Sequence, residues 1–260
     1  MLDVSALRSH FPALGRVEAG HPAAYFDGPG GTQVPTSIVE AMGDYLLHHN
    51  ANTHWAYATS AETDAALARA RRTVSHFLGC TPGEVAFGAN MTTLTYHLTR
   101  ALALDLDAGD EVVVTRLDHQ ANVGPWRVLE AERGVVVREV PFVPVSGRLD
   151  MEALARALGP RTRWLAVGAA SNALGTVNDV RAAADLAHYH GARVFVDAVH
   201  YAPHTLVDVS ALGADALACS PYKFYGPHMG VLFVREELQD RLRIPRLACA
   251  SNDYGERLET

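Results

Sequence analysis

The stretch SPYKFYGPHMG, residues 220–230, holds Lys223, the single lysine in a chain of 260 residues whose other basic side chains are all arginine. A desolvated, partly neutral lysine amine can condense with a carbonyl to form a Schiff base, whereas a guanidinium stays protonated and delocalised and cannot. Arginine therefore replaces lysine on a surface but not in that role. A second reactive position lies in VFVDAVH, residues 194–200, where Asp197 ends an apolar run. A carboxylate at such a place can hold a pyridine nitrogen protonated, which makes pyridoxal phosphate an electron sink. A third element is VAFGANMTTLTYHL, which reads as strand, tight turn and helix start. It would direct the free backbone N–H groups of Met91 and Thr92, with the Thr92 hydroxyl, towards an anion. Ser220 and Tyr222 could donate beside the lysine, and His119 and Asn172 each follow a β-branched or apolar run.

The elements that must position these groups alternate along the chain. EVVVT (111–115), VVVREV (135–140), RWLAVG (163–168), RVFVD (193–197), DALAC (215–219) and VLFVR (231–235) read as strands. Several are apolar throughout, as strands buried on both faces are. Between them lie helical patterns: SAETDAALARARRTVSHFLG, TTLTYHLTRALAL, ANVGPWRVLEAERG, MEALARALG and DVRAAADLAHYHG. Strand and helix in alternation predict an α/β fold with a mostly parallel sheet. In such sheets ligands bind beyond the carboxyl ends of the strands, and Lys223, Asp197, His119 and Asn172 all follow strands at that end.

With 48% hydrophobic and 20% charged residues the chain can bury a sizeable core, and its net charge of -7 gives no general attraction to nucleic acid or anionic membrane. No apolar stretch approaches the roughly 18 to 20 residues of a membrane span, and the first residues lack a signal peptide's pattern, so the expected address is the cytoplasm. Cys80, Cys219 and Cys249 have no paired spacing and read as ordinary thiols rather than a disulfide or zinc framework. Asp197, His200 and His204 are metal-ligand types close together, but Pro203 interrupts a helical presentation and no zinc signature occurs, so no metal is expected.

The motifs RLDHQANVGPW, SNALGT, VFVDAVH and SPYKFYGPHMG, in this order, with YFDGPGGTQVP and NANTHWAYATSAE before them, resemble the class V aminotransferase superfamily of pyridoxal phosphate enzymes. The likeness is greatest to its cysteine desulfurase and selenocysteine lyase branch, and runs from about residue 24 to the end. It implies a fold type I large domain with a mainly parallel seven-stranded sheet and helices on both faces, in a homodimer. It further implies pyridoxal 5'-phosphate as cofactor, joined to Lys223 through a Schiff base, with Asp197 at the pyridine nitrogen. His119 would stack on the ring and help move protons, Asn172 would lie near the ring oxygen, and His200 takes a place often filled by glutamine. Thr92, Ser220 and Tyr222 fall where the family binds phosphate, although histidine is common where Tyr222 stands. His54 and Gly30 fall in substrate-side segments.

The implied activity is cleavage of a C–S or C–Se bond in a cysteine-like amino acid. Aminotransferase, epimerase and β-lyase reactions on another small amino acid share its early steps, and a cofactor-binding protein with little activity is the remaining alternative. None of the three cysteines matches the family's sulfur-accepting position, and the arginine that grips the substrate carboxylate is absent. Relatives continue for on the order of 100 to 150 further residues. The expected organisation is thus an N-terminal segment over 1–24, a cofactor-binding large domain over 25–245, and the start of a C-terminal domain over 246–260.

Overall fold

The computed structural model describes residues 3–259; Met1, Leu2 and Thr260, at the ends of the expected terminal spans, lie outside the described residues. Seven strands form one sheet: β1 Val85–Gly88, β2 Glu111–Thr115, β3 Val136–Val140, β4 Thr162–Gly168, β5 Arg193–Asp197, β6 Ala216–Cys219 and β7 Gly230–Val234. Their order is β1-β7-β6-β5-β4-β2-β3. Every pairing from β6 to β3 is parallel, and β7 alone runs against both of its neighbours. The mostly parallel sheet is as the strand and helix alternation predicted, and its seven strands are as the family resemblance implied.

The helices that matter for the site are α1 Ala58–Leu78, α2 Met91–Leu102, α3 Gln120–Arg133, α4 Met151–Ala157 and α5 Val180–Tyr189. Side chains alternate across each strand, so the central strands feed two cores. Val113, Leu165, Val167, Val194 and Val196 pack with Leu78, Leu154 and Ala183 from α1, α4 and α5. Val112, Val114, Trp164 and Phe195 face the other way, against Leu94 and Leu98 of α2 and Trp126 and Leu129 of α3. Trp126, fully buried, lies 5.7 Å from the ring of Trp164 and edge-on to Phe195.

Local signals set the ends of these helices. Gly79 and Gly134 take the left-handed conformation, φ 68° and 69°, as C-caps of α1 and α3, which glycine adopts without steric cost. α5 ends at Tyr189, two residues before Gly191, with His190 as its C-cap, and Gly191 then turns with φ 76°. α3 carries Pro125 within it; this proline removes one helical hydrogen bond, and the helix continues because Trp126 and Leu129 anchor its buried face.

The last residues return to the domain. Leu258 is 1% exposed among the residues packed on α2, the Gly255 N–H donates to Gln239, and the Phe87 N–H donates to Glu259. No described helix is long and apolar enough to cross a membrane.

The start of α2 is fixed by Asn90, whose Oδ1 accepts from the Thr93 N–H at 2.8 Å and from the Thr93 hydroxyl at 2.9 Å. Gly230, opening β7, passes beneath it: a Cβ there would lie 2.5 Å from the Asn90 carbonyl carbon. Asn90→Ala is expected to cost about 1 kcal/mol of stability, read by denaturant unfolding, and to loosen whatever anion α2 faces.

Candidate active site

Lys223, 8% exposed, lies in the 3-10 turn Pro221–Lys223 that follows β6. One cleft at the carboxyl ends of the parallel strands is lined by Lys223, Asp197, His200, His119, Asn172, Met91, Thr92, Ser220 and Tyr222, with Pro29, Ala121 and Val199. All nine residues expected around a cofactor therefore line one cleft. The Lys223 Nζ donates to the Pro29 carbonyl and stands 4.5 Å from the centre of the Tyr222 ring. Tyr222 itself stacks on His228, with centroids 4.2 Å apart. The turn around Pro29 is tied to the lysine loop by the Thr32 N–H donating to the Tyr222 carbonyl and the Tyr225 N–H donating to the Thr32 hydroxyl.

Asp197 ends β5 and is 6% exposed. One carboxylate oxygen accepts from the Val199 N–H at 2.9 Å, and the other has no hydrogen-bond partner among the described residues. Burial pushes its pKa up to about 6, against the opposing pull of the Val199 amide and the Lys223 charge. His200 moves the other way, down to about 4, through burial first and then repulsion from Lys223, His119 and His204. It is therefore neutral at neutral pH. His119 caps α3, its Nδ1 accepting from the Ala121 N–H at 3.0 Å, so the neutral ring carries its hydrogen on Nε2.

The end of the cleft at the start of α2 differs in one detail from the sequence expectation. The Met91 N–H is not free: it donates to the Ser220 hydroxyl at 3.2 Å. Ser220 thereby becomes an acceptor with its own hydrogen still available, and the Thr93 amide is occupied by Asn90. What α2 offers an anion is the Thr92 N–H and hydroxyl, backed by the positive end of the helix, with Ser220 and Tyr222 on the same cleft.

Two expected site residues are not in this cleft. The Gly30 N–H is held by Asp27 Oδ1 at 3.1 Å, so the turn presents Pro29 to Lys223 while Gly30 lines a neighbouring groove of about 740 Å³ with Phe11, Tyr25 and Tyr225. That larger space has neither lysine nor cysteine among its lining residues. His54, in the left-handed region at φ 63°, donates its N–H to Asp64, and its Nε2 lies 3.3 Å from Glu256 in a separate cavity with Arg71 and Tyr254.

Asp118 was missed by sequence reasoning, although it immediately precedes His119. Its Oδ1 accepts from the Gly168 N–H at 2.5 Å, and burial, then repulsion from Asp197, pushes its pKa up to about 8. Pro29 also went unassigned, since a backbone carbonyl leaves no signature in the identity of its side chain.

The cysteines contribute no thiolate here. Burial pushes the Cys219 thiol up to about 12 and the Cys80 thiol equally far, while Cys249 is exposed. In the folded protein an alkylating reagent is expected to modify Cys249 alone, as peptide mass analysis would show, because the reactive form is the thiolate and needs access.

The model of the family "Aminotransferase class-V" matches residues 24–252. A probable cysteine desulfurase of Mycobacterium leprae is 35% identical over 242 residues, covering 92% of this chain and 39% of the relative. A cysteine desulfurase of Klebsiella pneumoniae is 36% identical over 240 residues, covering 91% of this chain and 59% of the relative. Among solved structures, an apo cysteine desulfurase of Thermococcus onnurineus superposes with a TM-score of 0.92 at 28% identity, over 100% of this chain and 66% of that one. A cysteine desulfurase of Escherichia coli gives 0.83 at 28% identity, over 95% and 61%. The chain thus spans well under two thirds of the length of these curated relatives.

Proposed function

The chain belongs to the class V aminotransferase family, and from that premise we propose that it acts as a pyridoxal phosphate-dependent, cysteine desulfurase-like enzyme, cleaving the C–S or C–Se bond of a cysteine-like amino acid. The observation that carries this reading is the convergence of the Lys223 amine, the unpaired Asp197 oxygen and the open Thr92 amide on one cleft.

Pyridoxal 5'-phosphate, the family's cofactor, supplies an aldehyde for an amine and a protonated ring that draws electrons from the substrate Cα. The donor set suits it. Thr92, Ser220 and Tyr222 would hold the phosphate, and the free oxygen of Asp197 would accept the ring N–H. Asn172 and His200 would lie at the ring oxygen, with His119 over the ring face. A neutral His200 donates there without adding positive charge beside Lys223.

In the reaction Lys223 is the base that takes and returns the Cα proton. His119, with its Nδ1 fixed by the Ala121 amide, keeps its Nε2–H for transfer at the leaving group. The Pro29 carbonyl steadies the amine from the open side. The same reading includes a homodimer in the cytoplasm; exposed Val39, Met42, Leu47 and Trp55 along the segment after the Pro29 turn support the dimer, which sedimentation of the purified protein checks.

The deciding assay supplies L-cysteine with excess dithiothreitol, whose thiols reduce the released sulfane sulfur to sulfide, and follows sulfide and alanine. Equal amounts of both are expected. A keto acid in place of alanine would sink the desulfurase reading, pointing to β-elimination where sulfide accompanies it and to amino transfer where it does not.

A further inference from the structure

We propose that Asp118 is a positioning residue that stays a neutral acid in the folded protein, so that the negative charge at this end of the sheet is concentrated on Asp197. The inference deepens the proposed function, resting on the reading of Asp197 as the ring partner.

The geometry begins with Gly168. This glycine ends β4, is register-paired with Asp197 of β5, and donates its N–H to Asp118 Oδ1 at 2.5 Å. A Cβ on Gly168 would stand 2.4 Å from that same oxygen, so only glycine lets the acid approach the strand so closely. The Gly168 carbonyl accepts from Asn178 Nδ2 at 2.9 Å, and the Ala169 N–H donates to the Asp197 carbonyl at 2.8 Å. Asp118 is thus tied through one residue to the backbone that carries Asp197.

Its other oxygen decides the protonation. Part of the residue reaches the surface, yet Oδ2 is buried with no hydrogen-bond partner. An ionised carboxylate would leave that oxygen charged and unsolvated, which is costly, whereas a protonated one removes the charge. The groups acting on it offer no compensating cation. The Gly168 N–H of β4 holds Oδ1, Thr115 of β2 accepts from the Asp118 backbone N–H, and Asp197 of β5 supplies repulsion. His119 follows it in sequence but spends Nδ1 on the Ala121 amide, and the Lys223 charge acts on Asp197.

Two carboxyls that repel each other cannot both ionise cheaply, and their protons leave in two steps that belong to the pair. With the values pushed to about 8 for Asp118 and about 6 for Asp197, the proton at neutral pH rests on Asp118. No proton is passed between them during turnover; Asp118 holds its own and thereby keeps Asp197 available to the ring.

The test is a carboxyl carbon NMR titration of the cofactor-free protein labelled at aspartate, comparing wild type with Asp118→Asn. The expected result is a resonance absent from the variant, protonated at neutral pH and ionising near pH 8, while the Asp197 midpoint stays where it is in wild type, because an acid still protonated as Asp197 ionises places no charge beside it. An Asp118 carboxyl already ionised at neutral pH, or an Asp197 midpoint that falls in the variant, overturns the proposal. Should Asp118→Asn not fold, the wild-type titration alone decides. On the loaded protein, the pH profile of the cofactor absorbance should lose its alkaline inflection in the variant; a purely structural role would weaken binding equally at every pH and leave the inflection in place. If Lys223 takes up no cofactor while the carboxyl titrates as expected, it is the functional reading that fails and not the placement of this acid.

Discussion

Lys223→Ala is expected to abolish covalent capture of pyridoxal phosphate and to lower turnover by roughly 10³-fold or more, because both attachment and proton transfer at Cα pass through this one amine. Borohydride treatment of wild type, followed by peptide mass analysis, should place the adduct within residues 220–230. The sole-lysine composition makes this measurement unusually clean, since no other ε-amino group competes. Lys223→Arg separates charge from nucleophilicity: it keeps the cation beside Asp197 but cannot condense with an aldehyde. Capture should be lost in both variants, while the arginine, the larger side chain, has to displace the Pro29 turn that caps the native amine. An adduct recovered from Lys223→Ala would refute the assignment.

Asp197→Asn should bind cofactor but turn over on the order of 10² to 10³-fold more slowly, because a neutral amide does not keep the ring nitrogen protonated. Stability should change in the opposite sense. An acid whose folded pKa is raised from 3.8 to about 6 binds more protons folded than unfolded in that interval, so it destabilises the cofactor-free fold progressively as pH rises through it. Cofactor-free Asp197→Asn is therefore expected to lose less stability than wild type between about pH 4 and pH 6 and to unfold at higher denaturant at neutral pH. Undiminished turnover in the variant would remove Asp197 from the mechanism.

Most of the sheet was legible because its strands are apolar on both faces and bounded by glycine, proline or capping residues. β2 and β5 coincide with the predicted runs, and β3, β4, β6 and β7 differ by a residue or so at their ends. The side chains that share the cleft were legible for a topological reason, since residues just beyond parallel strands converge whatever the details of the loops. What the sequence hid depends on contacts across long separations. Whether the Met91 amide is free is decided by Ser220, 129 positions away, and His54 is drawn off by Asp64 and Glu256. Asp118 reads as an unremarkable turn residue until the Gly168 amide is seen at its carboxyl.

The reversed direction of β7 bears on how the domain tolerates changes in length. Parallel neighbours are joined by long crossovers, but β6 and β7 are antiparallel with Cys219 opposite Val231, so the segment bearing Lys223 is a closed span whose two feet are pinned in one ladder. Adding a single residue there would shift the amine by up to about 3.3 Å, several times the roughly 0.5 Å within which reacting groups must be held. A surface tip such as Val145, 99% exposed, has no such constraint. Insertions and tags belong at tips of that kind, while the reach of the catalytic amine is set by the spacing of two strands.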